Sequence, residues 1–341
     1  MKWWRGKLRN WGINAGERKT LELNEIYEPI KGDLAAIEEG LRDIGISDSP
    51  WLNELLSYAL KGGGKRLRPV LAILCAKFYD YNLPRILPLA MAVELMHLAT
   101  LVHDDTIDNS SVRWGRPTIN KQWGMEKAVL LGDYLFAKSG ELTARTENLR
   151  VIRLLPQTLM IITNGELAQS ASAFRIEQAR EQYFFRITCK TAALFVMATE
   201  SGAVLSGAPE NSIQILHDYG HNLGIAFQIV DDILDFIGTE EEIGKPVGSD
   251  LQQGTLTLPA MFLIERYPKD NPVKRLFAGG DKKENTAQAI EMVRNSNIIQ
   301  QCFDVATEYQ KKACKNLNKL PNVKARELLI NLADYIVTRR R

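Results

Sequence analysis

The stretch His97-Leu98-Ala99-Thr100-Leu101-Val102-His103-Asp104-Asp105-Thr106-Ile107-Asp108 places carboxylates four residues apart at the end of an apolar run. That spacing returns to the same helix face, so Asp104 and Asp108 share a side and Asp105 is turned about 100° from Asp104. The pattern recurs where Ile225-Ala226-Phe227-Gln228-Ile229-Val230 leads into Asp231-Asp232-Ile233-Leu234-Asp235. Like charges at this spacing repel and weaken a helix, and an apolar approach leaves little solvent to screen them. A cation is the natural compensation. Hard oxygen donors with no thiolate suit Mg2+, which keeps several waters and shares phosphate oxygens with a substrate. Asp104, Asp105, Asp108, Asp231, Asp232 and Asp235 are therefore candidate metal ligands on a diphosphate. One such cluster alone could be a solvated acidic helix end, but two of identical spacing favour metal. The Gly and Glu of a calcium-binding loop are missing.

Outward from these clusters, apolar residues recur at three- and four-residue spacing, as in Leu52, Leu55, Leu56, Ala59 and Leu60. Helices are predicted over about 20–44, 50–61, 67–79, 85–105, 125–145, 148–172, 177–206, 211–238, 257–266, 284–296, 298–317 and 323–338, without convincing strands. The fold class is all-α. Gly62-Gly63-Gly64, Ser206-Gly207-Ala208-Pro209 and the loop from Gly238 to Gly254 punctuate the chain, and none resembles a flexible interdomain linker. One helical domain over 20–341 is expected, preceded by the segment 1–19.

The 341 residues are 45% hydrophobic and 25% charged, a globular composition. Lys plus Arg number 43 against 41 Asp plus Glu, so the balance gives no argument for a nucleic-acid partner. Cys75, Cys189, Cys302 and Cys314 lie far apart, with no CxxC pair, which suits a reduced, cytoplasmic chain. No apolar run of membrane-spanning length and no signal peptide are read. The first residues, Met1 to Trp11, interleave three tryptophans with four basic residues, as segments resting at a membrane interface do; the plainer reading is a tail packed on the protein or loose.

Basic groups accompany the acids. In Lys61-Gly62-Gly63-Gly64-Lys65-Arg66-Leu67-Arg68-Pro69 the glycines let backbone N–H groups approach an anion and the cations supply charge, although the order is not that of a nucleotide P-loop. His97 precedes Asp104 by two helical turns, on the same side. Arg113, Lys190 and Lys245 are further cations near the acidic clusters, and each alone reads as surface charge.

Gly63-Gly64-Lys65-Arg66-Leu67-Arg68-Pro69, the stretch His97 to Asp108, Lys190-Thr191, Phe227-Gln228-x-x-Asp231-Asp232-x-x-Asp235 and Gly244-Lys245-Pro246-x-Gly248-x-Asp250-Leu251 together resemble the trans-polyprenyl diphosphate synthases, a family of prenyltransferases. The resemblance runs from about residue 20 to Leu332-Ala333-Asp334-Tyr335 and beyond. It implies an isoprenoid-synthase-type helical bundle around a deep cavity, usually a homodimer, which condenses isopentenyl diphosphate with an allylic diphosphate such as farnesyl or geranylgeranyl diphosphate. It also implies three Mg2+ ions: Asp104 and Asp108 share two, Asp231 holds the third, and Asp105, Asp232 and Asp235 complete the shells or bind water. Arg113, Lys190 and Lys245 clasp the allylic diphosphate, Thr191, Phe227 and Gln228 border the reacting carbons, and Lys65, Arg68 and His97 take isopentenyl diphosphate.

This chain departs from the family pattern twice. Trp114 follows Arg113 where a second arginine is usual, with Arg116 as a substitute, and Gly254-Thr255-Leu256-Thr257-Leu258-Pro259 lacks a lysine near the allylic diphosphate. In the family the positions five and four before Asp104 face down the cavity. Here they are Ala99 and Thr100, both small, with Met96 one turn deeper as a later floor. A product of at least twenty carbons, and about thirty to fifty, is expected, the length of quinone side chains. The rival readings are a terpene cyclase, which the second aspartate cluster disfavours, and a non-catalytic regulatory subunit, which the intact six aspartates disfavour.

Overall fold

The computed structural model describes residues 22–44, 49–62, 64–239 and 246–339. Its longer helices are α1 (Lys31–Ile44), α2 (Pro50–Leu60), α3 (Leu67–Ala76), α4 (Leu83–Ile107), α5 (Met125–Ala144), α6 (Leu149–Ser172), α7 (Arg180–Ile187), α8 (Ala193–Leu205), α9 (Glu210–Ile237), α10 (Leu258–Arg266), α11 (Lys282–Arg294), α12 (Ile298–Cys314) and α13 (Lys324–Thr338). The all-α expectation holds. A two-residue antiparallel ribbon, β1 (Val112–Arg113) with β2 (Arg116–Pro117), is the one sheet among the described residues. The segment 1–19, Gly63 and Lys245 lie outside the described residues, so the expectations for them are not met by any structural observation.

Two predicted helices are interrupted. The one over 20–44 breaks at Glu28–Ile30, a 3-10 turn in which Pro29 cannot donate the bond an α-helix needs. The one over 177–206 opens at Thr188–Ala192 into a π turn, a bulge that re-aims side chains and often marks a functional position.

α4 starts where the Asn82 side chain accepts from Arg85 N at 3.2 Å and ends with Asp108 as its C-cap. Its 25 residues correct the expectation that no stretch is long and apolar enough to cross a bilayer; 61% of its most apolar window is buried inside the protein, which makes it a core helix. It is apolar all round because neighbours surround it. α5 packs along it, as the Ser139 hydroxyl donates to the Ala92 carbonyl at 2.9 Å and the His103 ring meets Phe136 at 5.4 Å. α9 is the second spine. Leu216, Tyr219 and Leu223 join the core around α3, α4 and α8, while Ile229, Ile233 and Phe236 join a second cluster with α10, α11 and α12. Each fully buried side chain of this kind contributes about 1.5–3 kcal/mol of burial free energy. The acidic ends of both spines are thus carried on rigid, buried stems.

Candidate active site

The first cluster sits at the C-terminal end of α4, where unpaired carbonyls already make the potential negative and added carboxylates need counter-charge. The protein supplies two cations. Arg113, from β1, grips Asp105 through Nε–Oδ2 and Nη2–Oδ1, both at 2.8 Å. Lys190, on the π turn, lies 2.7 Å from Glu166 of α6 and 3.5 Å from Asp104. Burial opposes the Lys190 charge, but Asp104 and Glu166 outweigh it and raise the ammonium pKa. Burial also raises the carboxyl pKa of Asp108, with Lys190 acting against it.

The second cluster, on α9, divides by helix phase. Asp231 is 40% exposed and takes a 2.5 Å contact from Arg339 just past α13. Asp232 is buried, accepts from the Tyr183 hydroxyl at 2.7 Å and the Gln228 amide at 2.9 Å, and burial with Asp250 nearby pushes its pKa up to about 7. Asp235, also buried, accepts from the Ser249 hydroxyl at 3.2 Å and the Asp250 amide at 3.3 Å, anchoring the loop that follows α9. Asp105, Asp232 and Asp235 are therefore buried and held by protein donors, whereas Asp104, Asp108 and Asp231 are more exposed, with Arg339 also resting on Asp231. Among the described residues no three acidic, histidine or cysteine groups converge as a closed metal cage. An all-oxygen donor set spread over two helix ends fits ions that also take oxygens from a bound diphosphate.

A second, basic set lies close by, with Glu94 and Asp231 near enough to act on Arg68. Arg68 is 8% exposed, its guanidinium lies 5.0 Å over the Phe195 ring, and its Nε–H has no partner. Burial brings its pKa down to about 10. A buried guanidinium with an unused donor is costly unless an anion arrives to take it. Burial also drives His97 well below the usual imidazole value, with Arg68, Arg113 and Arg66 pushing the same way, so its ring is neutral. The Lys65 carbonyl accepts from Tyr27 at 2.6 Å, which pins the glycine loop. Thr191 donates to Gln228 at 2.6 Å, and the Phe195 and Phe227 rings meet at 5.3 Å between the two sets.

Trp114 stands in the left-handed region at φ 52°, half-exposed, with its ring over Gly62; a Cβ there would come within 2.9 Å of Cζ3. The expected substitute, Arg116, is occupied elsewhere, its guanidinium 4.2 Å over Tyr58. Ala99 and Met96 are fully buried and Thr100 turns its hydroxyl back to the His97 carbonyl at 2.7 Å. Between the His103–Phe136 and Ala92–Ser139 contacts, the helix register sets Ala99 against the Leu135–Phe136 stretch of α5. Sequence reasoning missed Arg339, Glu166 and Tyr183. Glu166 had a faint signal in Gly165-Glu166, and Arg339 in the closing arginines.

The family model described as polyprenyl synthetase matches residues 49–294. The heptaprenyl diphosphate synthase component 2 of Geobacillus stearothermophilus is 40% identical over 319 residues, 93% of this chain and 98% of that one. A polyprenyl synthase from Caulobacter crescentus, solved with calcium and isoprenyl diphosphate, superposes with a TM-score of 0.91 at 33% identity, covering 95% of this chain and 100% of that one. The decaprenyl diphosphate synthase of Rhodobacter capsulatus gives 0.86 at 38% identity, over 94% of this chain and 100% of that one. Matched along nearly its whole length by proteins of one kind, this chain belongs to the polyprenyl synthetase family and is a prenyltransferase.

Proposed function

We propose that the chain condenses isopentenyl diphosphate head to tail with an allylic diphosphate such as farnesyl diphosphate, building an all-trans polyprenyl diphosphate of about thirty to fifty carbons. The observation that carries this reading is the pairing of unlike anion sites: carboxylates with Lys190 and Arg113 on one side, and the buried Arg68 guanidinium, whose Nε–H has no partner, with His97 on the other.

Asp104, Asp108 and Asp231 would hold Mg2+, three ions per site, and the bound metal supplies Lewis-acid stabilisation of a departing diphosphate. Lys190 and Arg113 orient that diphosphate as the allylic C–O bond breaks and its electron pair leaves with oxygen. Lys65, Arg68 and His97 fix the second diphosphate so that the isopentenyl double bond faces the allylic carbon. Phe195 and Phe227 keep water from the cation. The double bond attacks, one new C–C bond forms, and a proton passes to the released diphosphate while a new double bond closes. Ala99 and Thr100 are the small residues past which the tail would grow, with Met96 behind them; Ala99 and Met96 are packed in this structure, so the tail would open that packing.

Similar proteins named for heptaprenyl and decaprenyl products support the length, and a name ending in component 2 makes the assembly part of the test. The assembly proposed is a homodimer, with Val129 and Leu130 on α5 and Met160 and Ile161 on α6 exposed for a second copy. Purified chain given Mg2+, labelled isopentenyl diphosphate and farnesyl diphosphate should elongate the primer, and chelation should stop it. No elongation by a correctly folded dimer would defeat the reading of a self-sufficient enzyme.

A further inference from the structure

Glu166 is a partly buried acid, its side chain 22% exposed, that the reaction above does not use. It lies on α6, one residue after Gly165, where a Cβ would stand 2.6 Å from the Cys189 Cβ and 3.2 Å from the Lys190 amide. Only glycine lets α6 approach the π turn so closely, and that approach carries Glu166 Oε1 to 2.7 Å from Lys190 Nζ. The ammonium reaches Asp104 at a longer 3.5 Å. One cation is therefore shared between a carboxylate on the metal-bearing helix and a carboxylate on a different helix.

These two partners differ in what happens when Mg2+ arrives. A divalent ion on Asp104 repels a neighbouring ammonium, and a lysine held by Asp104 alone would swing away on its flexible stem. Glu166, outside the two aspartate clusters, keeps its charge available to Lys190. We propose that Glu166 is a positioning residue: it tethers Lys190 so that the ammonium stays within reach of the allylic diphosphate after metal has claimed Asp104. The inference rests on the role given to Lys190 above. It predicts that Glu166 affects diphosphate binding through Lys190 and not through the metal.

The test is a double-mutant cycle on the whole chain, read by calorimetric binding of a non-ionisable thio-analogue of farnesyl diphosphate with Mg2+, and separately by Mn2+ binding to substrate-free protein. Glu166→Gln keeps the shape, and Glu166→Asp keeps the charge; melting temperatures confirm folding. Glu166→Gln and Lys190→Gln should each weaken analogue binding about tenfold, and the double variant should be little worse than either. Glu166→Asp should stay within about threefold of the parent, and Mn2+ binding should not change on Glu166→Gln. Normal analogue binding by Glu166→Gln, with Lys190→Gln impaired, would overturn the tether while leaving Lys190 its role. Weakened Mn2+ binding would make Glu166 a metal ligand instead. Normal binding by Lys190→Gln would overturn both the tether and the reading of Lys190.

Discussion

Arg339 and Asp231, 108 residues apart in sequence, form an ion pair at 2.5 Å, and the same guanidinium donates to the Phe227 carbonyl at 2.9 Å and lies 4.1 Å over the Phe227 ring. The arginine is buried, the aspartate partly open. A fixed cation thus occupies one of the carboxylates proposed to hold metal.

Removing that cation should make Asp231 a better metal ligand before substrate is present. Arg339→Gln is expected to tighten Mn2+ binding to substrate-free protein severalfold, on the order of 1 kcal/mol because Asp231 is partly solvated. A Mn2+ titration followed by electron paramagnetic resonance measures it, and unchanged affinity would count against the placement of metal at Asp231.

Neighbouring aspartates on α9 should differ sharply. Asp231→Asn removes an accessible metal oxygen and is expected to lower kcat by about 10²–10³. Asp232→Asn acts on a carboxyl already bound by Tyr183 and Gln228, and should cost less than about tenfold. Steady-state kinetics on both variants decides this; equal losses would mean that Asp232 is also an essential ligand.

Near the site proposed for the nucleophile's diphosphate, Trp114 stands where the family pattern has a second arginine. Trp114→Arg should lower KM for isopentenyl diphosphate by about tenfold, the worth of one charge-assisted contact of ~1.4 kcal/mol, with KM for the allylic partner unmoved. Arg116→Ala should change neither value much, since its guanidinium rests on Tyr58.

A stability switch lies at the other end of α9. The hydrogen bond between His217 Nδ1 and Glu200, at 3.0 Å, raises the imidazole pKa and depresses the carboxyl pKa. The histidine's contribution is complete below its ordinary pKa of about 6.5 and is lost as pH rises through the raised value. The glutamate's contribution is present above its ordinary pKa of about 4.3 and fades as pH falls through the lowered one. The melting temperature of the parent should fall more between about pH 6.5 and 8.5 than that of His217→Gln. Parallel curves would show that the pair contributes nothing.

The two aspartate clusters and the helical class were legible because helix spacing and charge type are local properties of the chain, whereas Arg68, Lys190 and Arg113 were singled out only by the family resemblance. Which aspartates face inward was not, since that depends on how α9 rotates against Tyr183 and the loop at Ser249. Arg339 was hidden for a similar reason: only the packing of α13 brings it to Asp231. The π turn that aims Lys190 has no signature in apolar spacing, and Trp114 gave no hint that its backbone would turn left-handed over Gly62.

Product size tests the central claim most directly. Chain, Mg2+, farnesyl diphosphate and excess isopentenyl diphosphate are incubated, and the dephosphorylated products are sized by mass spectrometry for the parent and for Ala99→Phe. The parent should release all-trans products of about thirty to fifty carbons and Ala99→Phe distinctly shorter ones. Parent products that stop at twenty carbons or fewer, or an Ala99→Phe variant with unchanged lengths, would contradict the account.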